Sequence, residues 1–254
     1  MALPRSSMIL GPGPFKAKDL PSKSQYELDD GHAVLCLPTL GRGGAAQALG
    51  ARVIGTDPLV EHSGVEVGFQ LGEGTLRAPD VAVMSGAPGE GWVQGAPPLA
   101  IEYADRGQDE VELRRKTQQL LEGGTRAVWV VRLGRIRQVE VYTRGPAGDV
   151  VCTVAQAHET LSLPGVLQNP VPVAALFDPQ QADLATLQNL LDRFGFVHPD
   201  QARELGREEG REEGREEGAR AVAIAVLRAR GEADPEARIA GLDEAALVRL
   251  LAGR

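Results

Sequence analysis

An acid inside an apolar strand is the first position in this chain that demands a chemical explanation. In PPLAIEYA (97–104), Glu102 stands among aliphatic and aromatic side chains. Burying a carboxylate there unpaired costs on the order of several kcal/mol. Strand alternation places Glu102 on one face with Ala100 and Ala104, and turns Leu99, Ile101 and Tyr103 to the other. In PDVAVM (79–84) the same alternation puts Asp80 with Ala82 and Met84, opposite Val81 and Val83, while Pro79 stiffens the strand entry. Two acids beside small side chains leave room for a hydrated cation. In the following DEVELRRKTQQLLEGG (109–124), Lys116 sits at the edge of the stripe formed by Leu113 and Leu120. At about 100° per residue, Arg115 is turned away and Lys116 can look inward.

Asp80, Glu102 and Lys116 together have the logic of phosphodiester hydrolysis. Two carboxylates suit Mg²⁺ or Mn²⁺, hard cations that take oxygen ligands, with a backbone carbonyl and waters completing the sphere. Such an ion acidifies a bound water and neutralises phosphate. The lysine positions or helps deprotonate that water and offsets charge in the transition state. Each residue also has a purely structural alternative: Asp80 capping the strand turn, Lys116 snorkelling at a helix boundary, Glu102 paired with Arg126 or Arg132. Arg42, Arg106, Arg114, Arg115 and Arg126 are the candidates for phosphate contacts.

Other chemistries find no support. The four histidines, His32, His62, His158 and His198, form no pair at metal-ligand spacing. GEGWVQG (89–95) has neither the dinucleotide spacing nor a phosphate-loop Gly-Lys-Ser/Thr, and Ser85 lacks the flanking glycines of a nucleophile elbow. Cys36 and Cys152 are far apart, in no CxxC pair, which excludes a disulfide framework and a zinc ribbon.

The elements that must carry the trio read as an α/β domain. Tyr26 to Leu37 holds two short strand-like runs around Asp30-Gly31, a hairpin signal. A helix is expected over AAQALGARVI (45–54), after Gly41-Arg42-Gly43-Gly44 and despite Gly50. VEVGFQL (65–71), PDVAVM and PPLAIEYA read as strands, 109–124 as the best helix, ending at Gly123-Gly124, and RAVWVVRL and IRQVEVYT as a second hairpin. The composition shifts after Phe177. DPQQADLATLQNLLDRFG has leucines at helical spacing, and Gly206, Gly210, Gly214 and Gly218 then punctuate three Arg-Glu-Glu copies. Like charges stack at i,i+4 in that repeat, and each glycine costs about 1 kcal/mol in a helix. A frayed helix or hinge is therefore expected, followed by a helix ending at Gly231 and another capped by Asp234-Pro235. The division is an irregular arm (1–24), a main domain (25–178) and a helical extension (179–254).

The 254 residues are 43% hydrophobic, enough for a sizeable core. With 27 Lys+Arg against 35 Asp+Glu, a net charge of −8, there is no basic coat for non-specific nucleic-acid binding, although a local basic groove stays open. Aromatic residues are 4%, which makes base stacking a poor binding mode. No segment reads as a membrane span or signal core, so a cytoplasmic protein is expected.

At these residues the sequence resembles a known group. Pro79-Asp80, the IEYA strand with Glu102, Lys116 on a helix running into GGTRAVW, and YELDDG near the start are similar to the Uma-type restriction endonucleases of the PD-(D/E)XK nuclease superfamily. The likeness spans roughly Tyr26 to Phe177. It implies a restriction-endonuclease-like mixed central sheet flanked by helices, a Mg²⁺ (or Mn²⁺) ion on Asp80 and Glu102, and nucleic acid, DNA first, as partner. In the superfamily pattern the lysine stands two residues after the second acid, where this chain has Ala104; the Uma-type branch carries it on the next helix, as Lys116 does here, with Glu112 one turn earlier. The resemblance also implies an auxiliary metal or active-site role for Glu27, whose plain alternative is an exposed hairpin acid. The chain departs from the branch at Arg42 and its glycines, where a histidine is usual, at Leu120 in place of an aromatic, and at Glu102-Tyr103-Ala104-Asp105-Arg106. The expected function is a metal-dependent endonuclease. The alternative is a catalytically degenerate nuclease-fold scaffold whose Arg-Glu-Glu tail mediates homo-oligomers or partner contacts.

Overall fold

Asp30 and Gly31 both have positive φ, 47° and 85°, the left-handed pair that a two-residue type I′ hairpin turn requires. They join β1 (Tyr26–Asp29) to β2 (His32–Leu35), paired antiparallel with Glu27 opposite Val34. The structure, a computed structural model, describes residues 13–21, 24–105, 107 and 109–251, save the side chains of residues 202, 209, 244, 248 and 251. Most of the N-terminal arm, and Arg106, lie outside the described residues. Within the described part of the arm, Ala17 and Leu20 pack on Leu28 and Leu76.

The chain continues through α1 (Gly41–Thr56), β3 (His62–Val65), β4 (Phe69–Gly72), β5 (Thr75–Arg77), β6 (Val81–Met84), β7 (Val93–Gln94), β8 (Leu99–Ala104) and α2 (Glu110–Glu122). It then forms β9 (Ala127–Arg132), β10 (Gln138–Arg144), β11 (Val150–Gln156), β12 (Thr160–Leu161), β13 (Val171–Pro172) and α3 (Pro179–Phe194). A six-stranded sheet runs β11-β10-β9-β8-β6-β3, a five-stranded one β2-β1-β5-β4-β7, and β12-β13 form a ribbon. In the larger sheet β8 and β9 are parallel, joined by the crossover helix α2, and its other pairs are antiparallel. The sheets are mixed and flanked by helices, as expected.

Burial follows the alternation read from β8. Leu99, Ile101 and Tyr103 enter the main core with Val81, Val83, Trp129 and Val131, against Val53 and Ile54 of α1 and Ala182 of α3. Ala100 and Ala104 face the other way with Val128 and Val130, against Leu113, Leu120 and Leu121 of α2. That helix is capped by Asp109, whose side chain accepts from the Val111 and Glu112 amides, and Glu110 and Glu112 in its first turn suit the dipole.

Several elements depart from the sequence expectation. VEVGFQL is two strands, not one: the chain breaks at Glu66, φ 54°, and crosses from the six-stranded to the five-stranded sheet. Helix α1 begins at Gly41 itself. Strand β11, a β-branched run not assigned from the sequence, extends the second hairpin into a meander. The shift in composition after Phe177 marks the start of α3, which packs on α1 in the first compact unit, Met1–Phe194.

The second unit, Gly195–Arg254, contains α4 (Pro199–Ala229), α5 (Pro235–Ile239) and α6 (Glu244–Leu251). Ala223 and Leu227 of α4, Ile239 of α5 and Leu247 of α6 form its core. The glycine repeat is one continuous helix rather than a frayed segment or hinge. It is nucleated by that packed C-terminal half and by Pro199 at its first turn, so each further residue costs only propagation. No helix among the described residues is long and apolar enough to cross a membrane.

Gly50 in α1 is explained by Tyr103 of β8: a Cβ at Gly50 would stand 2.0 Å from the Tyr103 hydroxyl oxygen. Overpacking of this kind costs about 1–3 kcal/mol, more than the roughly 1 kcal/mol of helix propensity gained. Gly50→Ala is expected to lower the thermal midpoint by roughly 2–6 °C. Adding Tyr103→Phe, which removes the clashing oxygen, should recover most of that loss in the same calorimetric measurement.

Candidate active site

Lysine 116 ends in a place with almost no water. Its ammonium donates to the Ala78 carbonyl at 2.7 Å, and lies 2.9 Å from Glu27 Oε1 and 2.8 Å from Glu102 Oε1. Three elements meet there, because α2 supplies the lysine, β1 Glu27 and β8 Glu102. Asp80 arrives by register: Val81 pairs with Ile101, so one step further along brings Asp80 opposite Glu102. Its Oδ2 accepts from the Tyr103 amide at 2.6 Å, and its carbonyl accepts from Gln47 at 2.9 Å.

The four sequence-derived site residues are therefore brought together. Glu27 is no exposed hairpin acid, being 6% exposed. Glu102 pairs with Lys116 rather than with an arginine, since Arg132 bridges Glu110 and Glu140 and Arg126 donates to the Pro164 carbonyl. Of the phosphate candidates, Arg42 is engaged by Asp105 and Arg115 by Asp29 and Asp30, while Arg114 is exposed.

Beneath the cluster lies a residue that sequence reasoning missed. Arg77, on β5, is fully buried. Its Nε donates to Gln119 Oε1 at 2.7 Å, and one terminal nitrogen donates to Glu112 Oε1 at 2.5 Å and Glu27 Oε2 at 3.1 Å. The test that singles out Glu102, a charge where burial is expected, applies equally to Arg77 in TLRAPD.

The acids outnumber the bases that meet them, and the protonation pattern shows it. Burial pushes Glu102 up to about 8, reinforced by the charges of Asp80 and Glu27 and only partly offset by Lys116. Burial also raises Asp80, with Lys116 and the Tyr103 amide opposing. For Glu27 burial is outweighed by Lys116 and Arg77, and the carboxyl stays below its usual range. Burial alone would lower Lys116, but the surrounding carboxylates hold it above the usual lysine range.

This donor set fits a divalent cation. Glu102 Oε1 is buried, with the Lys116 ammonium 2.8 Å away. When ionised, Asp80 and Glu102 carry more negative charge than Lys116 cancels, which a bound cation would offset. Among the described residues no group of three or more His, Cys, Asp or Glu side chains is arranged to hold a metal. The fit is to a divalent ion that takes two carboxylates and fills its remaining positions with water and phosphate oxygens.

The Uma2 family, described as putative restriction endonuclease, matches over residues 15–180. A putative nuclease belonging to DUF820 from Anabaena variabilis, solved by crystallography, has a similar fold. The TM-score is 0.54 at 17% identity, covering 66% of this chain and 99% of that one. No curated protein matches the chain.

A folded-state carboxyl raised above its unfolded value binds protons more tightly when folded, so stability falls as pH rises from the unfolded to the folded value. For Glu102 that window runs from 4.5 to about 8; Asp80 adds the same sign, whereas Glu27, lowered, acts below it. With a chelator present, Glu102→Gln should flatten the loss of denaturant stability between pH 5 and 8, an effect of at most a few kcal/mol, roughly. An unchanged slope would show that Glu102 ionises freely.

Proposed function

The chain belongs to the Uma2 family of putative restriction endonucleases, and from that premise we propose that it is a metal-dependent phosphodiesterase that cleaves DNA at the Asp80, Glu102 and Lys116 cluster. The observation that carries this is the convergence of the Glu102 carboxylate of β8, the Asp80 carboxylate at the entry to β6 and one helix ammonium, with Glu27 behind them, in a buried cluster short of positive charge. Asp80 and Glu102 are the ligands for Mg²⁺ or Mn²⁺, which when bound would acidify a water and neutralise phosphate.

The protein's own residues do the rest. Lys116 keeps its proton, because the carboxylates around it hold the charged form, so it suits charge offset and orientation of the attacking water rather than general base catalysis. Glu27 divides its oxygens between Lys116 and Arg77 and holds the ammonium toward Glu102. We assign phosphate contacts outside the acidic centre to exposed Arg114 and to Arg42, which would exchange Asp105 for phosphate.

A second reading, a catalytically silent scaffold, is favoured by the lack of a three-ligand metal group among the described residues. In that case the exposed helix α4 is the working surface, for self-association or a protein partner.

One set of measurements separates the two. The purified chain should nick DNA with Mg²⁺ or Mn²⁺, and Asp80→Ala, Glu102→Ala and Lys116→Ala should each lower the rate by roughly 100-fold or more while circular dichroism stays native. Calorimetric titration with Mg²⁺ should give binding that Asp80→Asn abolishes. No heat, no cleavage and loss of self-association on truncation before Gly206 would establish the scaffold, and cleavage confined to RNA would correct the substrate.

A further inference from the structure

Arg77 touches no reacting group in the reading above, yet its side chain is wholly enclosed and its contacts leave in two directions. Toward α2 it meets Glu112 Oε1 at 2.5 Å and Gln119 Oε1 at 2.7 Å. Toward β1 it meets Glu27 Oε2 at 3.1 Å and Asp29 Oδ1 at 3.6 Å. Glu112, Lys116 and Gln119 are spaced i, i+4 and i+7, one stripe of α2. All three end on Arg77 or on its partner Glu27.

The guanidinium therefore fastens the five-stranded sheet, through β5 and β1, to the helix that packs on the six-stranded sheet. Glu102 belongs to the second sheet and Glu27 to the first. The ammonium that sits between them depends on how the two sheets are held. A lysine side chain is a point charge on a flexible stem, and its place must come from its neighbours. Simple neutralisation would be met by any cation at position 77, whereas here Nε donates to Gln119 and one terminal nitrogen to both Glu112 and Glu27, in the fixed directions of a planar fork.

We infer that Arg77 is the positioning residue of this site, fixing Glu27 and the Glu112 to Gln119 stripe so that Lys116 is held between Glu27 and Glu102. Its catalytic consequence rests on the hydrolase reading; its structural content does not.

The test uses the full chain labelled with ¹⁵N-lysine. In wild type the Lys116 ammonium, identified by its loss in Lys116→Met, should give a correlation whose solvent exchange is about 10-fold or more slower than that of surface lysines. Arg77→Lys keeps the charge and removes the fork; it should abolish that protection and, with Mg²⁺, lower kcat by about 10- to 100-fold with KM within about twofold. If Arg77→Lys loses the native circular dichroism, Gln119→Met, which removes the Nε acceptor together with the amide's bonds to Asp29 and Asp30, is read in its place with the same expectation. A folded variant of either kind with the protected signal and kcat unchanged overturns the inference. A wild type that cleaves nothing ends the hydrolase reading alone, because the ammonium signal still decides whether Arg77 positions Lys116.

Discussion

The burial of one ammonium organises this protein. An ammonium taken out of water needs an acceptor in each direction its protons point, and a lysine left short of them returns to the surface or loses its charge. Lys116 finds Ala78, Glu27 and Glu102, each from a different part of the chain. Satisfying it requires the hairpin of β1, the end of β5, the centre of β8 and the crossover helix to meet at one point. The requirement then reverses sign. Collecting enough carboxylate to hold one lysine leaves carboxylate over at Asp80 and Glu102, and the proposed cation is what would offset that surplus.

Much of this was legible from residue types alone. Alternation along PPLAIEYA separated Glu102, Ala100 and Ala104 from Leu99, Ile101 and Tyr103, and the two cores divide them the same way. Strand polarity is a period-two property, indifferent to what lies beyond the strand, so it survives translation into three dimensions. The inward tilt of Lys116 was legible for the same reason, since the stripe of Leu113 and Leu120 sets the rotation of the whole helix.

The rest depended on contacts between residues far apart in the chain. Arg77 is hidden from a reading of the sequence because TLRAPD is short and its arginine stands next to a turn, where a charge is ordinarily solvated; only the arrival of Glu27, Glu112 and Gln119 encloses it. VEVGFQL looked like one strand because periodicity cannot report a change of sheet. Trp92 packing against Gly68, and the left-handed Glu66, make that change possible, and neither is visible within the run. In the glycine repeat, local cost argued against a continuous helix, and the packing of its far end, around Ala223 and Leu227, outweighs that cost.

Placing the amine on the crossover helix frees the strand position two beyond Glu102, and Ala104 uses it to seat that helix. The same seam of alanines, valines and leucines therefore carries both the mechanical join and the reach of the amine. Drift in the two cannot be independent. A lineage that enlarges a side chain in this seam lifts the helix and shortens the effective reach of Lys116 at once, so selection on folding and selection on chemistry read the same handful of methyl groups.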